Sequence, residues 1–230
     1  GERLWCTHTV PAPGEPGSET WEDGGDAWKR GGGSAWLTGS YDPELNTVYW
    51  GVGNPGPWNA SVRPGDNLYT NSILALDPKT GKVKWHYQTS PNDPFDHDGT
   101  NELVLTELDG RKVVMQASRN GFFYVLDRTN GELLAANKFV DNVNWAEKVD
   151  LSTGRPVPTD VAVKARAGED VVVWPSIGGG KNWGPMAYNA SKRTAYINTY
   201  RMGTTFKLVE PTYRAGVPYL GAEFGWDFPE

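Results

Sequence analysis

The sequence predicts an all-β fold assembled from repeated antiparallel units, and three observations predict it. The first is composition: 11 Trp, 28 Gly and 17 Pro in 230 residues mark a chain of many short strands and tight turns. The second is a succession of short β-rich runs bounded by turn residues, with no long window of helical periodicity. The third is self-similarity. Gly31-Gly-Gly-Ser-Ala-Trp36, then Tyr41 and Thr47-Val-Tyr49, recurs at one constant offset as Gly178-Gly-Gly-Lys-Asn-Trp183, Tyr188 and Thr194-Ala-Tyr196. Ala75-Leu-Asp77 with Gly81 recurs at a shorter offset as Val125-Leu-Asp127 with Gly131. Self-similarity of this kind in an all-β chain signals a propeller or solenoid. Blades of four strands suit a spacing of about 50 residues. The longer offset then places two Gly-Gly-Gly-x-x-Trp loops about three blades apart and on one face of a ring.

The elements follow in chain order. Asn46–Val52 reads as a strand after the turn Asp42–Asn46, and Ser72–Leu76 leads through Asp77-Pro-Lys-Thr-Gly81 into Lys82–Tyr87. Leu103–Leu108 meets Lys112–Met115 across Asp109-Gly110, a strong hairpin signal. Phe122–Leu126 turns at Arg128–Gly131, and Val171–Trp174 and Thr194–Asn198 are further strands. Pro11–Gly17, Pro55–Gly65 and Asp160–Asp170 read as loops. The whole chain, 1–230, is expected to be one architecture without a second domain.

Bulk properties exclude several classes. The net charge of −6 and the lack of a basic run argue against nucleic acid. No apolar run approaches a bilayer span, and Gly1–Cys6 lacks a leader pattern. The single Cys6 forbids an internal disulfide and any multi-cysteine metal site. No Cys-x-x-Cys-His haem attachment is present.

The stretch Asn92-Asp-Pro-Phe-Asp-His-Asp-Gly-Thr-Asn-Glu102 carries the chemistry, because Asp96 and Asp98 flank His97 just before Gly99. On an extended backbone the two carboxylates would leave the same face. They are either solvated turn residues or partners sharing a cation or a proton. His97 would point the other way, as a structural group. Asn54, in Gly53-Asn-Pro-Gly-Pro-Trp-Asn59, offers a neutral oxygen that a hard cation accepts, although Asn before Pro is also a turn starter.

Ala75–Trp85, with its Thr-Gly turn and closing Trp, resembles the tryptophan-docking motif of eight-bladed quinoprotein propellers. Trp85 would staple neighbouring blades together. The second copy, ending at Ala135, lacks the Trp. Thr20–Asn59, Arg63-Pro-Gly-Asp-Asn67, Pro94–Glu102, Arg119-Asn-Gly121, Tyr124–Asp127, Gly178–Trp183 and Tyr213–Gly216 resemble, in order and spacing, the pyrroloquinoline quinone (PQQ)-dependent alcohol dehydrogenases. The resemblance covers nearly the whole chain and implies an all-β, partial eight-bladed β-propeller.

It also implies roles. Asp96 falls at the catalytic aspartate and general base, and Asn54, Asp96 and Asp98 at metal ligands. Ser34, Trp36, Arg119, Asn182 and Trp183 fall at PQQ contacts, with the Trp36 indole stacking under the cofactor ring. In the family an aspartate at the Asp98 position marks the lanthanide-dependent type, with Ca2+ the alternative metal. The implied reaction is oxidation of primary alcohols to aldehydes, with the metal as Lewis acid and electrons leaving to cytochrome c in the periplasm. A homodimer of the full-length protein is compatible with the resemblance. The family's metal-binding glutamate and adjacent-cysteine disulfide would precede Gly1, and its closing blades would follow Glu230. Residues 1–230 alone are therefore expected not to oxidise alcohol. The rival reading is a non-catalytic PQQ-repeat propeller scaffold, which would not need Asp96, Asp98, Asn54 and Arg119 together.

Overall fold

The computed structural model describes residues 1–23 and 25–229. Its organising units are two four-stranded antiparallel blades. The first runs β1 (Ser40–Asp42), β2 (Thr47–Gly51), β3 (Ser72–Leu76) and β4 (Val83–Gln88), in that spatial order. The second runs β5 (Val104–Leu108), β6 (Arg111–Ala117), β7 (Phe122–Asp127) and β8 (Leu133–Lys138). Strand β3 is buried at every residue, because both faces of an inner strand are covered and its Ile-Leu-Ala-Leu run is apolar throughout. Strand β2 instead alternates, with Thr47, Tyr49 and Gly51 inward. The β5–β6 turn takes positive φ at both Asp109 (50°) and Gly110 (78°), the geometry a two-residue hairpin demands.

The remaining chain holds β9 (Ala146–Asp150) paired with β10 (Arg155–Pro158), then helix α1 (Asp160–Arg166). Strand β11 (Val171–Val173) joins β14 (Gly203–Leu208) and β15 (Ala222–Asp227), and β12 (Ala187–Asn189) pairs with β13 (Thr194–Tyr196). Helix α1 corrects the expectation of a loop over Asp160–Asp170. The Thr159 side chain caps it by accepting from Ala162 N, Asp160 sits in the first turn, Lys164 and Arg166 in the last, and Ala162 and Ala165 pack inward. Those are ordinary helix signals, hidden by a length of only 7 residues.

The repeats persist as shared register. Ser40 faces Tyr49 and Asp42 faces Thr47 in β1–β2; Ala187 faces Tyr196 and Asn189 faces Thr194 in β12–β13. In β3–β4 the register shifts between Ala75 and Leu76, and in β7–β8 between Val125 and Leu126, at the matching position. A turn of the same kind, Asp150–Gly154, closes β9–β10, with Gly154 N donating to Asp150 O as Gly81 does to Asp77 and Gly131 to Asp127.

Trp85 docks as expected. Its ring lies 5.6 Å from Tyr49 and over the β7–β8 turn, where a Cβ on Gly131 would come within 2.7 Å of the indole. A second docking indole, Trp5, lies in the same way over Gly81 and donates from Nε1 to Pro78 O at 2.9 Å. One apolar core then runs through both blades, from Tyr49, Ile73 and Tyr87 to Val114, Phe122 and Tyr124, and on to Val149, Ala162 and Phe206.

Gly131 and Gly110 both have positive φ, but only Gly131 is covered by an indole. Gly131→Ala should lower stability by about 2–5 kcal/mol, combining left-handed strain with overpacking. Gly110→Ala should cost about 1–2 kcal/mol from strain alone. Denaturant midpoints of the two variants measure the difference.

Candidate functional site

Antiparallel order fixes which loops meet. With β1 to β8 alternating in direction, the loops before β1, after β2, before β5 and before β7 all emerge at one end of the blades. Those loops carry Ser34 and Trp36, Asn54, Asp96 and Asp98, and Arg119 respectively. The loop before β12, with Asn182 and Trp183, joins them through Arg119: Gly180 N donates to Arg119 O at 2.9 Å.

The acidic loop is held by its own first residues. Asp93 is buried, and its carboxylate accepts from Phe95 N at 3.2 Å and His97 N at 2.9 Å. This Asx-type turn leaves Asp96 left-handed at φ 59°, a conformation Asp tolerates. The extended backbone that would put both carboxylates on one face does not form: the segment is a loop, and the carboxylates converge through one left-handed residue. His97 turns into the core as expected, fully buried with its ring 5.7 Å from Phe95 and 5.7 Å from Trp145. Burial pushes its imidazole pKa down.

Both carboxylates meet Arg119. Its Nη2 donates to Asp96 Oδ2 at 3.1 Å, and its Nη1 donates to Asp98 Oδ2. The other Asp98 oxygen accepts from the backbone N–H of Asn54 at 2.9 Å. Gly53 provides the room, because a Cβ there would lie 2.6 Å from Asp98 Oδ1 and 3.1 Å from Ser34 Oγ. Asn182 is one step further off: Asn101 Oδ1 accepts from Arg119 N at 2.9 Å, while its Nδ2 donates to Asn182 O at 3.0 Å. Trp36 and Trp183 stand on the flanking loops with exposed rings, 48% and 64% accessible, and neither stacks on another aromatic side chain among the described residues.

Electrostatics follow from the count of charges. Two largely buried carboxylates share one guanidinium. Burial raises the Asp96 pKa to about 7; Arg119 pulls it back, and Asp98 and Asp93 push it up. Two carboxylates short of positive charge suit a hard cation, and Asn54 lies beside them, its backbone N–H on Asp98 and its Nδ2 donating to Pro55 O at 3.1 Å. No cluster of three or more His, Cys, Asp or Glu comes together among the described residues; Asp96 and Asp98 are the carboxylates these residues offer such a centre.

Sequence reasoning missed the groups that hold this arrangement. Arg63 is fully buried and donates to Pro57 O at 2.6 Å, Asp93 O at 2.6 Å and Asn67 Oδ1 at 2.7 Å, tying the Asn54 loop to the acidic loop. Burial pushes its guanidinium down to about 9, so it stays charged at neutral pH. Glu102 accepts from the buried Lys181 Nζ at 2.7 Å and from Met186 N at 2.7 Å, fixing the Asn182–Trp183 loop. The charged residues in Arg63–Asn67 and at Glu102 were legible as residues, but their partners lie in distant loops.

A fold of propeller blades with its loops gathered round a carboxylate pair is the frame of a quinoprotein dehydrogenase. Residues 1–165 match the family described as "PQQ: Glucose/ethanol/alcohol dehydrogenase, beta-propeller domain", and the chain belongs to that family. It is 46% identical to the quinoprotein alcohol dehydrogenase PedH of Pseudomonas putida, covering 97% of this chain and 41% of that protein. It is 43% identical to a lanthanide-dependent methanol dehydrogenase of Methylorubrum extorquens, covering 89% of this chain and 36% of that one. Among solved structures, a europium-containing methanol dehydrogenase superposes with a TM-score of 0.85 at 40% identity, covering 95% of this chain and 38% of its own. The chain thus spans about two fifths of the length of these relatives.

Two outcomes follow from the geometry. Arg63→Lys should cost about 2–4 kcal/mol of stability by breaking charge-assisted bonds to the Pro57, Trp58 and Asp93 carbonyls and the Asn67 amide, read from thermal or denaturant unfolding. In metal-free protein, Asp96 holds its proton more tightly folded than unfolded, so its ionisation opposes folding. Stability should fall as pH rises from about 4 to about 7 and level off above. Asp96→Asn should flatten that limb in a pH series of unfolding curves.

Proposed function

We propose that the full-length protein oxidises primary alcohols to aldehydes with PQQ and a hard metal ion, and that Asp96 is its general base. The observation that carries this reading is the convergence of Asn54, Asp96, Asp98 and Arg119 between two Trp-bearing loops in a chain of the quinoprotein family. Asn54, Asp96 and Asp98 would hold the metal, and Ser34, Trp36, Arg119, Asn182 and Trp183 would hold the cofactor. When bound, PQQ supplies a two-electron acceptor and the metal a Lewis acid.

The protein's part is orientation and proton transfer. Asp96 accepts the substrate hydroxyl proton at a carboxylate oxygen, and the left-handed turn made by Asp93 aims that oxygen out of the core. Arg119 brings a guanidinium fork suited to carboxylates and quinone oxygens. The exposed indoles of Trp36 and Trp183 offer apolar faces to a planar ring. Asp98 adds one anionic oxygen to the donor set, which favours a trivalent lanthanide over Ca2+, since a higher charge gains more from each carboxylate. Family membership extends the reading to cytochrome c as electron acceptor and to the periplasm as compartment.

The test is dye-linked ethanol oxidation by the full-length protein, reconstituted with PQQ and either La3+ or Ca2+. Turnover with La3+ is expected. Asp96→Asn should lower kcat by about 10²–10⁴-fold, and Asp98→Ala should abolish the preference for La3+. Turnover with Ca2+ alone would return Asp98 to a structural role. No turnover with either metal in folded protein would favour a non-catalytic scaffold.

A further inference from the structure

We propose that Arg119 is a placeholder in the metal site: without metal its guanidinium bridges Asp96 and Asp98, and an incoming cation has to displace it. The inference rests on the reading of Asn54, Asp96 and Asp98 as metal ligands and goes beyond it to how the site is kept before loading.

The geometry points this way on four counts. First, the bridge uses both arms of one fork, Nη2 on Asp96 Oδ2 and Nη1 on Asp98 Oδ2. Second, both Asp98 oxygens already have a donor, Oδ2 the Arg119 guanidinium and Oδ1 the Asn54 N–H. A cation reaching Asp98 must therefore compete with an existing partner. Third, like charges repel strongly at such range in a partly buried site, so guanidinium and a trivalent ion cannot both sit between the two carboxylates. Fourth, the main chain of Arg119 is clamped while its side chain is incompletely satisfied. Its backbone N donates to Asn101 Oδ1 and its backbone O accepts from Gly180 N, whereas its buried Nε has no partner and, besides the carboxylates, the fork holds only the Ile177 carbonyl, through Nη2.

Gly179 makes room for the side chain. It has φ 82°, and a Cβ there would collide with the Arg119 Cγ and carbonyl oxygen. Displacement is therefore a side-chain rotation between fixed loops, not a loop movement. The bridge has a physical use, because two neighbouring carboxylates without a cation repel and splay. Arg119 keeps them converged until the ion arrives, at the expense of metal affinity.

The experiment is Tb3+ binding to the full-length, PQQ-free protein, read as tryptophan-sensitised luminescence, for wild type, Arg119→Met and Arg119→Lys. Circular dichroism and thermal melts establish that each variant is folded. Arg119→Met should bind Tb3+ at least ten-fold tighter than wild type. Arg119→Lys, which keeps the charge but cannot span two carboxylates, should fall between them. Saturable binding of equal or weaker affinity in Arg119→Met would overturn the placeholder and leave the metal site standing. Equal affinity of Arg119→Lys and wild type would overturn the bridging geometry, reducing the effect to net charge. No Tb3+ binding by any folded form, tested alongside Ca2+ competition, would overturn the metal-site reading and the inference with it.

Discussion

Each blade is a twisted sheet with apolar residues on both faces, so it is stable only where another element covers it. The contact that meets this requirement is an indole laid on a glycine turn: Trp85 of the first blade over Gly131 of the second, and Trp5 over Gly81. Nothing larger than glycine fits beneath the ring at Gly131, where a Cβ would already come within 2.7 Å. The docking sets the spacing and rotation of one blade relative to the next. Through that spacing, the Asn54 loop of the first blade and the Arg119 loop of the second reach the same carboxylates. A large apolar contact at the outer strands thus determines polar geometry at the strand ends.

The polar geometry has its own frame of buried charges. Arg63, Asp93, Glu102 and Lys181 form it: Arg63 ties the Asn54 loop to the acidic loop, Asp93 braces the acidic loop from within, and Glu102 with Lys181 fixes the Asn182–Trp183 loop. Burying such groups is costly unless every hydrogen-bonding arm is used. Arg63 meets that condition with carbonyls and an amide alone, so its charge imposes position on loops that carry no regular structure. Arg119 is different in kind. Its backbone is as firmly held, yet its fork ends mainly on two carboxylates, Asp96 and Asp98.

Much of the fold was legible because it repeats. The match of Tyr41 and Thr47 to Tyr188 and Thr194 survives as an identical hairpin register, and that of Leu76 to Leu126 as an identical register shift. Trp5 escaped notice because it sits in an irregular segment before the first blade, with no second half of the motif to mark it. Helix α1 escaped because two turns of periodicity are too few to distinguish from an irregular segment, although Thr159 and Asp160 signalled its start. In the site, residue types announced an acidic pair, a possible amide ligand and a basic partner. That Arg119 would span both acids could not be read, since the pairing depends on inter-blade spacing and on a left-handed Asp96. Extended geometry would have brought the acids together by a different route.

The two ends of the blades differ in what they tolerate. The tips joining β1 to β2, β5 to β6 and β7 to β8 lie at the end away from Asp96, and Gly110 at the β5–β6 tip has nothing within 4 Å of where a side chain would begin. Anchoring chemistry placed there would orient the molecule with its carboxylate face outward. An electrode or bead tethered through that rim would present the carboxylate end to the solution, with no side chain of the candidate site engaged in the attachment.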